Sequence, residues 1–228
     1  MAMGAPMGIT MSIEPHHVLT LSQWLSPAYP VGAFSYSHGI EWAIISGEVT
    51  SSEALKDWLE DILRYGSGYT DVIFLAAAYA AQDSETLRKL NAKARAFAPS
   101  KERLLETTAQ GAAFAEVTKA LSHDMPGAIQ LCYPIAVGYA AGQQALPLQL
   151  TAQMYLQAFV SNLVSAGMRA IPIGQTVGQA LIKELAPLCQ DVANAAIEVP
   201  LSALASTAFL ADIASMNHET QYSRIFRS

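Results

Sequence analysis

The chain has 228 residues, of which 52% are hydrophobic and only 14% are charged, and its formal net charge is −6. A chain of this length most often forms one domain with an ample core, and its acidity argues against a broad basic surface for nucleic acid. The charged fraction lies well below the roughly 25% of an ordinary domain, which indicates oligomerisation or a large partner interface, with an alanine-rich core as the alternative.

The first residues, 1–14, are rich in Met, Gly and Pro and predict a disordered leader. No Lys or Arg precedes Lys56, so this leader lacks the basic start of a signal or transit peptide. We expect a cytoplasmic protein in which Cys132 and Cys189, far apart and among apolar or small residues, are buried reduced thiols.

Helical periods dominate the rest of the chain. The predicted helices cover 18–25, 35–46, from 51 or 52 to 65, 72–81, 84–98, 101–121, 134–145, 150–170, 176–188 and 201–216. Ser51 or Ser52 is expected to cap the third helix, Thr70 and Asp71 the fourth, and Ser84 the fifth. Strand-like alternation is nearly absent. The sequence therefore predicts an all-α fold, a single compact domain of about ten helices over 15–228.

An uncharged stretch from Met125 to Met168 raises the question of a membrane span. Its longest run without Gln, Asn, Ser or Thr is Leu131–Gly142, shorter than the ~20 residues that a bilayer requires. Beyond it, polar residues recur every four positions from Gln149 to Ser161, which predicts a mostly buried helix with one polar stripe. We expect no membrane span.

The chain contains no phosphate-binding G-x-x-x-x-G-K-[ST] loop, so it lacks this motif for nucleotide binding. It also lacks the G-x-S-x-G elbow of serine hydrolases. Six of the thirteen Lys and Arg lie between Arg88 and Arg103. Acidic residues interrupt them, which is typical of a solvated helix face, with a basic binding patch as the alternative.

The five histidines are His16, His17, His38, His123 and His218. His38 and Glu41 are three residues apart, so they are expected to share a helix face, but a firm metal site usually needs three or four ligands. A metal-carrying role through His38, Glu41 or His218 stays an alternative. So does a helical hydrolase that uses Ser35, Ser37 and His38.

Aromatic residues cluster at both ends of the chain. Tyr29, Phe34 and Tyr36 surround one turn and form either a local apolar cluster or a partner-facing patch. In the tail 213–228, an i, i+3, i+4 spacing predicts a helix face made of Tyr222, Ile225 and Phe226, beside Arg224 and Arg227. We expect this tail to order against another protein; docking on its own core is the alternative.

These same segments resemble the UreF family of urease accessory proteins. Leu25–Glu41 reads L-S-P-A-Y-P-V-G-A-F-S-Y-S-H-G-I-E, similar to the family signature except that the family usually has Gln in place of His38. Similar short stretches are Tyr69–Asp71, Gln110–Phe114 and Ile171–Gln175. The strongest match is H-E-T-Q-Y-S-R-I-F-R-S over His218–Ser228, where the family has Leu for Ile225, while Asn217 replaces an Arg often found before the His.

The resemblance implies an all-helical homodimeric scaffold without catalytic residues, cofactor or bound metal of its own. It implies partners of three kinds: a UreD/UreH-like accessory protein, the nickel-handling GTPase UreG and the urease apoprotein, which receives nickel with their help. A nickel-binding metallochaperone is the alternative function. The expected partner-binding residues come from the two best-matching segments and are Tyr36, Glu41, His218, Glu219, Gln221, Tyr222, Arg224, Phe226 and Arg227.

Overall fold

The computed structural model describes residues 13–122, 125–126 and 129–228, so most of the leader expected over 1–14, and His123, lie outside the described residues. Within these ranges the chain forms ten α-helices, two short 3₁₀ helices and no strand, which confirms the predicted all-α fold. The α-helices are α1 (Pro15–Trp24), α2 (Ile40–Ile45), α3 (Ser52–Tyr65), α4 (Ser67–Tyr79), α5 (Ser84–Phe97), α6 (Lys101–Ser122), α7 (Tyr133–Gln143), α8 (Leu148–Ala170), α9 (Gln175–Ala196) and α10 (Phe209–His218). The 3₁₀ helices are Ala33–Ser35 and Leu201–Ala203.

The centre of the molecule is the pair α4 and α7. Helix α4 is apolar on nearly all sides and buries a continuous run from Val72 to Leu75. Helix α7 approaches it closely because Gly138 faces the backbone of Leu75, where a Cβ would collide with the carbonyl group. Two helices that bury apolar side chains all round can only lie inside the bundle, and the others pack around them.

The second layer includes α8 and α9, which pack against each other and against α3. The predicted end of α9 at Leu188 is wrong, since the helix continues through Pro187 to Ala196. Its buried stripe of Leu181, Leu185, Leu188 and Val192 keeps one apolar face across the proline. Packing of that face outweighs the hydrogen bond that the proline removes.

Two of the expected helix caps are also corrected. Helix α4 begins at Ser67, directly after Gly66, so Thr70 and Asp71 lie inside the helix rather than at its start. Ser84 is the first residue of α5, and Asp83 is the cap, since its carboxylate accepts from the Thr86 N–H at 2.8 Å. The expected cap at Ser51 is confirmed, since its side chain accepts from Ala54 N.

The helix predicted over 35–46 is shorter than expected, and the helix predicted over 201–216 is divided in two. Helix α2 covers only Ile40–Ile45, because His38 and Gly39 before it have positive φ angles of 59° and 80°. The C-terminal stretch forms the 3₁₀ helix Leu201–Ala203 and then, after an irregular segment, α10. Beyond His218 the tail is not α-helical, so the predicted face of Tyr222, Ile225 and Phe226 is wrong.

Both cysteines are free and buried, as predicted. No helix within the described part of the chain combines the length and the hydrophobicity that crossing a bilayer requires.

Candidate functional site

The two segments singled out in the sequence, 29–41 and the tail 213–228, meet in the structure. Helix α10 packs on α2 and also contacts α6. The contact is close at Gly39, where an added Cβ would lie only 2.8 Å from Ser215 N. The φ angle of Gly39 is also +80°, which residues with a side chain rarely adopt. Because Gly39 has no side chain, α10 can lie directly on the start of α2.

Glu41 is the central acceptor of this contact. Its side chain is buried, and its Oε1 accepts from the backbone N–H of Ile225 at 2.7 Å. Its Oε2 accepts from the N–H of Phe226 at 3.0 Å and lies 3.1 Å from His218 Nε2. A non-helical tail leaves its N–H groups without backbone acceptors, and Glu41 satisfies two of them.

His218 lies between two carboxylates and is fully buried. Besides Glu41 at Nε2, its Nδ1 is 2.7 Å from Glu102 Oε2. Both ring nitrogens of His218 therefore face carboxylate oxygens. Glu102 also accepts from Arg224 at 2.8 Å, so two side chains of the C-terminal segment pair with acids of the helical body.

The last two residues are fixed by the turn that precedes α2. Ser37 N donates to the Ser228 carbonyl at 2.6 Å, and the Ser37 hydroxyl bonds the same oxygen. Arg227 N donates to the Ser35 carbonyl at 2.8 Å. Ser228 Oγ donates to Glu106 Oε2 at 2.9 Å, which connects the tail to α6.

Phe226 supplies the apolar anchor of the tail. Its ring is buried, and the Arg169 guanidinium of α8 lies over it, 4.3 Å from the ring centroid. Arg169 also donates to the Phe34 carbonyl at 2.7 Å. The tail is therefore docked on its own core, and the expectation that it orders only against another protein is wrong.

Next to the tail lies a buried ionic cluster of Glu106, Arg103, His38 and Asp71. Burial alone would raise the pKa of Glu106. The charge of Arg103 and the nearby His38 outweigh the effect of burial and lower the pKa of Glu106 to about 2. Burial and then the charge of Arg103 lower the pKa of His38 to about 4. Burial raises the pKa of Asp71 to about 6, although Arg103 and the hydrogen bond from Tyr155 oppose it.

The expected partner-binding residues divide into two groups. Four are buried in this chain: Tyr36, Glu41, His218 and Phe226. Glu219 and Gln221 are half-buried, whereas Tyr222, Arg224 and Arg227 are exposed. The structure thus brings these residues into one region, where Glu41, His218 and Phe226 hold the tail and the exposed ones stand on its outer side. Direct contact of any of them with a partner stays a prediction.

Several residues of this region were not singled out in the sequence. Glu102 and Glu106 are four apart on α6 and share its buried side, a spacing that could have been noticed. The exposed apolar side chains of α10 repeat at i, i+4 and i+7, namely Phe209, Ile213 and Met216, with Leu210 beside them. This stripe falls in the helix predicted over 201–216 but was not singled out in the sequence.

Of the three rings near the first turn, Tyr29 and Tyr36 are buried and Phe34 is 67% exposed. They therefore form neither one internal cluster nor one surface patch. Phe34 also lines a cavity of about 530 Å³, to which Tyr29, Asp71 and Arg103 contribute.

Metal ligation was an alternative for His38, Glu41 and His218. His38 and Glu41 do not share a helix face, because His38 precedes α2 and its ring faces Ser67 and Glu106. Within the described ranges, no group of three or more His, Cys, Asp or Glu side chains is placed to hold a metal ion.

The family model and the curated proteins similar to this chain all point to the same family. The family model described as UreF matches residues 49–186, a range that includes Glu102, Arg103 and Glu106 of the site. The urease accessory protein UreF of Ruegeria pomeroyi is 50% identical over 212 residues, which cover 92% of this chain and 96% of the relative. The UreF proteins of Roseobacter denitrificans (51% over 210 residues; 92% and 93% covered) and Rhodopseudomonas palustris strain BisB5 (44% over 234 residues; 98% and 95%) are similar over comparable lengths.

Proposed function

This chain belongs to the UreF family of urease accessory proteins, and from that premise we propose that it is a cytoplasmic, homodimeric scaffold for nickel insertion into apo-urease. In this role one domain over 15–228, with the tail 213–228 as its binding element, holds a UreD/UreH-like protein and recruits or regulates a UreG-like GTPase. The scaffold acts through what it binds, without a catalytic step, cofactor or resident metal of its own.

The observation that carries this proposal is the exposed apolar surface around the tail. Six large apolar side chains in the last 20 residues are exposed: Phe209, Leu210, Ile213, Met216, Tyr222 and Ile225. Ile225 projects from a segment whose backbone is fixed by Glu41, and Tyr222 lies three residues before it. Exposed apolar side chains concentrated in one segment of a monomer favour an interaction site there, and aromatic residues and Arg are the common anchors of interfaces. We call this set of six side chains the tail surface.

The buried acids contribute to the proposal through pre-organisation. A tail held by Glu41, Glu102 and Glu106 presents Arg224 and Ile225 in place before a partner arrives. Binding then requires less ordering of the chain, which increases affinity without any additional contact. Tyr36, Glu41, His218 and Phe226 would therefore act as positioning residues beneath the surface.

The test is a pull-down after co-expression with UreD/UreH-like, UreG-like and urease subunits. Ile213→Asp places a charge in the tail surface at a side chain that is 51% exposed, and capture of the UreD/UreH-like protein should fall at least tenfold. Leu121→Asp is the matched control, because Leu121 is similarly exposed at the end of α6. Equal capture by the two variants and the parent chain would place the partner elsewhere and overturn the assignment of the tail surface.

A further inference from the structure

A cavity of about 530 Å³ lies between α6, the start of α7, α8 and the segment that follows α1. Its volume falls within the range of about 300–1,000 Å³ that is common for small-molecule sites. Five aromatic residues line it: Tyr29, Phe34, Tyr133, Tyr155 and Phe159. The rings of Tyr133 and Tyr155 pack against each other with centroids 5.5 Å apart, so this part of the wall is held by contacts within the chain.

The charges of the lining do not cancel. Among the described residues that line the cavity, the charged ones are Asp71, Arg103 and Glu106. Arg103 and Glu106 form an ion pair along α6, and Gln110 also donates to Glu106 at 3.4 Å. Arg103 acts on Asp71 as well, but one cation cannot balance two carboxylates. Burial raises the pKa of Asp71 to about 6, so at pH 7 most of this carboxyl group is ionised and leaves one negative charge in excess.

Two oxygen atoms of the lining are available to a ligand. Tyr155 Oη donates to Asp71 Oδ2 at 2.8 Å, and within the described ranges Asp71 Oδ1 has no hydrogen-bond partner. The Tyr133 hydroxyl has no partner among the described residues either. Burial raises the pKa of Tyr133 well above its usual range, and Tyr29 and Asp71 add to the shift. This hydroxyl therefore stays neutral and can accept a hydrogen bond.

These features suit a protonated amine. An ammonium group has three N–H donors and no acceptor, so it can pair with the Asp71 carboxylate and donate to the Tyr133 oxygen. The faces of aromatic rings carry negative charge density and attract a cation that lies within about 6 Å of the ring centroid. An anion would be repelled by Asp71, and a neutral ligand would displace water from this carboxylate without supplying an opposite charge.

We propose that this cavity binds a small organic ammonium ion, with the ammonium group at Asp71 and its apolar or aromatic group among the rings of the wall. The site lies beyond the scaffold role, since its ligand is bound and released unchanged and is neither a cofactor nor a substrate. Glu106, which lines the same cavity, accepts from Ser228 Oγ at 2.9 Å, so the ligand site adjoins the docked tail.

The experiment titrates the purified full chain at neutral pH, by isothermal titration calorimetry, with two probes of similar shape. One is 2-phenylethylammonium, and the other is 2-phenylethanol, which has a hydroxyl group in place of the ammonium. The parent chain should bind the ammonium saturably and the alcohol at least about tenfold more weakly. Asp71→Asn keeps an acceptor for Tyr155 but removes the charge, so affinity for the ammonium should fall on the order of 10- to 100-fold while affinity for the alcohol stays the same.

Asp57→Asn is the matched control, because Asp57 is exposed on α3 and its loss changes the net charge equally; it should leave both affinities unchanged. Ala158→Phe fills the cavity from α8 and should abolish binding of both probes. Asp71 also borders a smaller cavity of about 250 Å³ but Ala158 does not, so this second variant locates the ligand.

Urea unfolding of each variant verifies that the helical fold is retained. Absence of saturable ammonium binding by the folded parent chain overturns the proposal. Equal ammonium affinity of the parent chain and Asp71→Asn overturns it as well, because the carboxylate would then not hold the cation. Unchanged binding by Ala158→Phe would place the ligand outside this cavity and overturn it equally.

Discussion

At the residue scale, the tail depends on few side chains. The Glu41 carboxylate accepts from two backbone N–H groups of the tail and faces the ring of His218, whose other nitrogen faces Glu102. Both carboxylates are buried, and a buried charge is tolerated only when it is paired and hydrogen-bonded. His218 therefore separates two buried acids, and its loss leaves them facing one another.

We expect His218→Ala to lower the free energy of unfolding by about 3–5 kcal/mol, the usual cost of removing one partner from a buried ionic pair. Urea unfolding followed by far-UV circular dichroism measures this loss. Lys89→Ala is the control: Lys89 is 75% exposed and pairs only along its own helix with Glu85, so its loss should cost less than about 0.5 kcal/mol. Similar values for the two variants would contradict the role given to His218.

The cluster beside the tail predicts two opposite pH dependences. In the folded chain the pKa of His38 is about 4, below its ordinary value of 6.5, so His38 adds stability as pH rises from about 4 to 6.5. The pKa of Asp71 is about 6, above its ordinary 3.8, so Asp71 removes stability as pH rises from about 4 to 6. Each effect amounts to about 3 kcal/mol, and because the windows overlap, the parent chain should show a nearly flat profile.

The two conservative variants should separate these effects. His38→Gln leaves Asp71, so stability should fall as pH rises from 4 to 6; Asp71→Asn leaves His38, so stability should increase over the same range. Arg103, Glu106 and Asp212 also face this region but are retained in both variants. Urea unfolding at pH 4, 5, 6 and 7 measures how the free energy of unfolding of each variant changes with pH. Changes of the same sign in the two variants would refute the opposite roles given to His38 and Asp71.

At the element scale, the tail and α10 have separable roles. Removal of 220–228 takes away Phe226 and the three N–H donors to Glu41 and Ser35, but leaves α10 packed on α2 through Ala214 and Ser215. We expect this truncated chain to remain helical, to be less stable than the parent chain, and to lose capture of the UreD/UreH-like protein. Circular dichroism and the pull-down measure the two properties, and undiminished capture would exclude a binding role for the tail.

The elements themselves were largely predictable from the sequence, and their ends were not. Apolar periodicity alone predicts α3, α6, α7 and α8 within a few residues. The predicted start of α4 is wrong because Thr70 and Asp71 were expected to cap it, whereas only Gly66 separates α3 from α4. The predicted end of α9 is wrong because packing of its apolar face carries the helix past Pro187.

The site was predictable only in part, for a physical reason. The sequence identified its two segments, but not that they contact one another, since Glu41 and Ile225 are 184 positions apart. Periodicity describes neighbours along one helix and carries no information about a pairing of this kind. The helix face expected for the tail is wrong because the N–H groups of Ile225 and Phe226 bond to Glu41, and that of Arg227 to the Ser35 carbonyl, instead of to a helical backbone.

At the scale of the whole molecule, exposed apolar side chains also occur outside the tail surface. They include Leu19 on α1, Leu105 on α6 and Val177 on α9. Together with the low charged fraction, they favour a homodimer in which part of this surface is covered. Light scattering of the purified chain should give twice 24.4 kDa, and a value of 24.4 kDa across micromolar concentrations would argue for a monomer.

The scaffold proposal also predicts the response of the isolated chain to nickel. Because His38, Glu41 and His218 bond to other side chains of the protein, they offer no free set of ligands. Equilibrium dialysis should therefore find no tight, stoichiometric Ni²⁺ binding at neutral pH. Binding of one equivalent that is lost in His218→Ala would favour the metallochaperone alternative.

The distance along the chain between Glu41 and its tail partners has a consequence for biosynthesis. A ribosome produces Glu41 184 positions before Ile225, whose N–H completes the contact. Until the tail is made, Glu41, Glu102 and Glu106 lack its donors, and the outward-facing Tyr222 and Arg224 do not exist. A nascent polypeptide that still lacks the tail thus cannot display the finished surface, so the assembly machinery would engage only molecules in which the tail has been synthesised and docked.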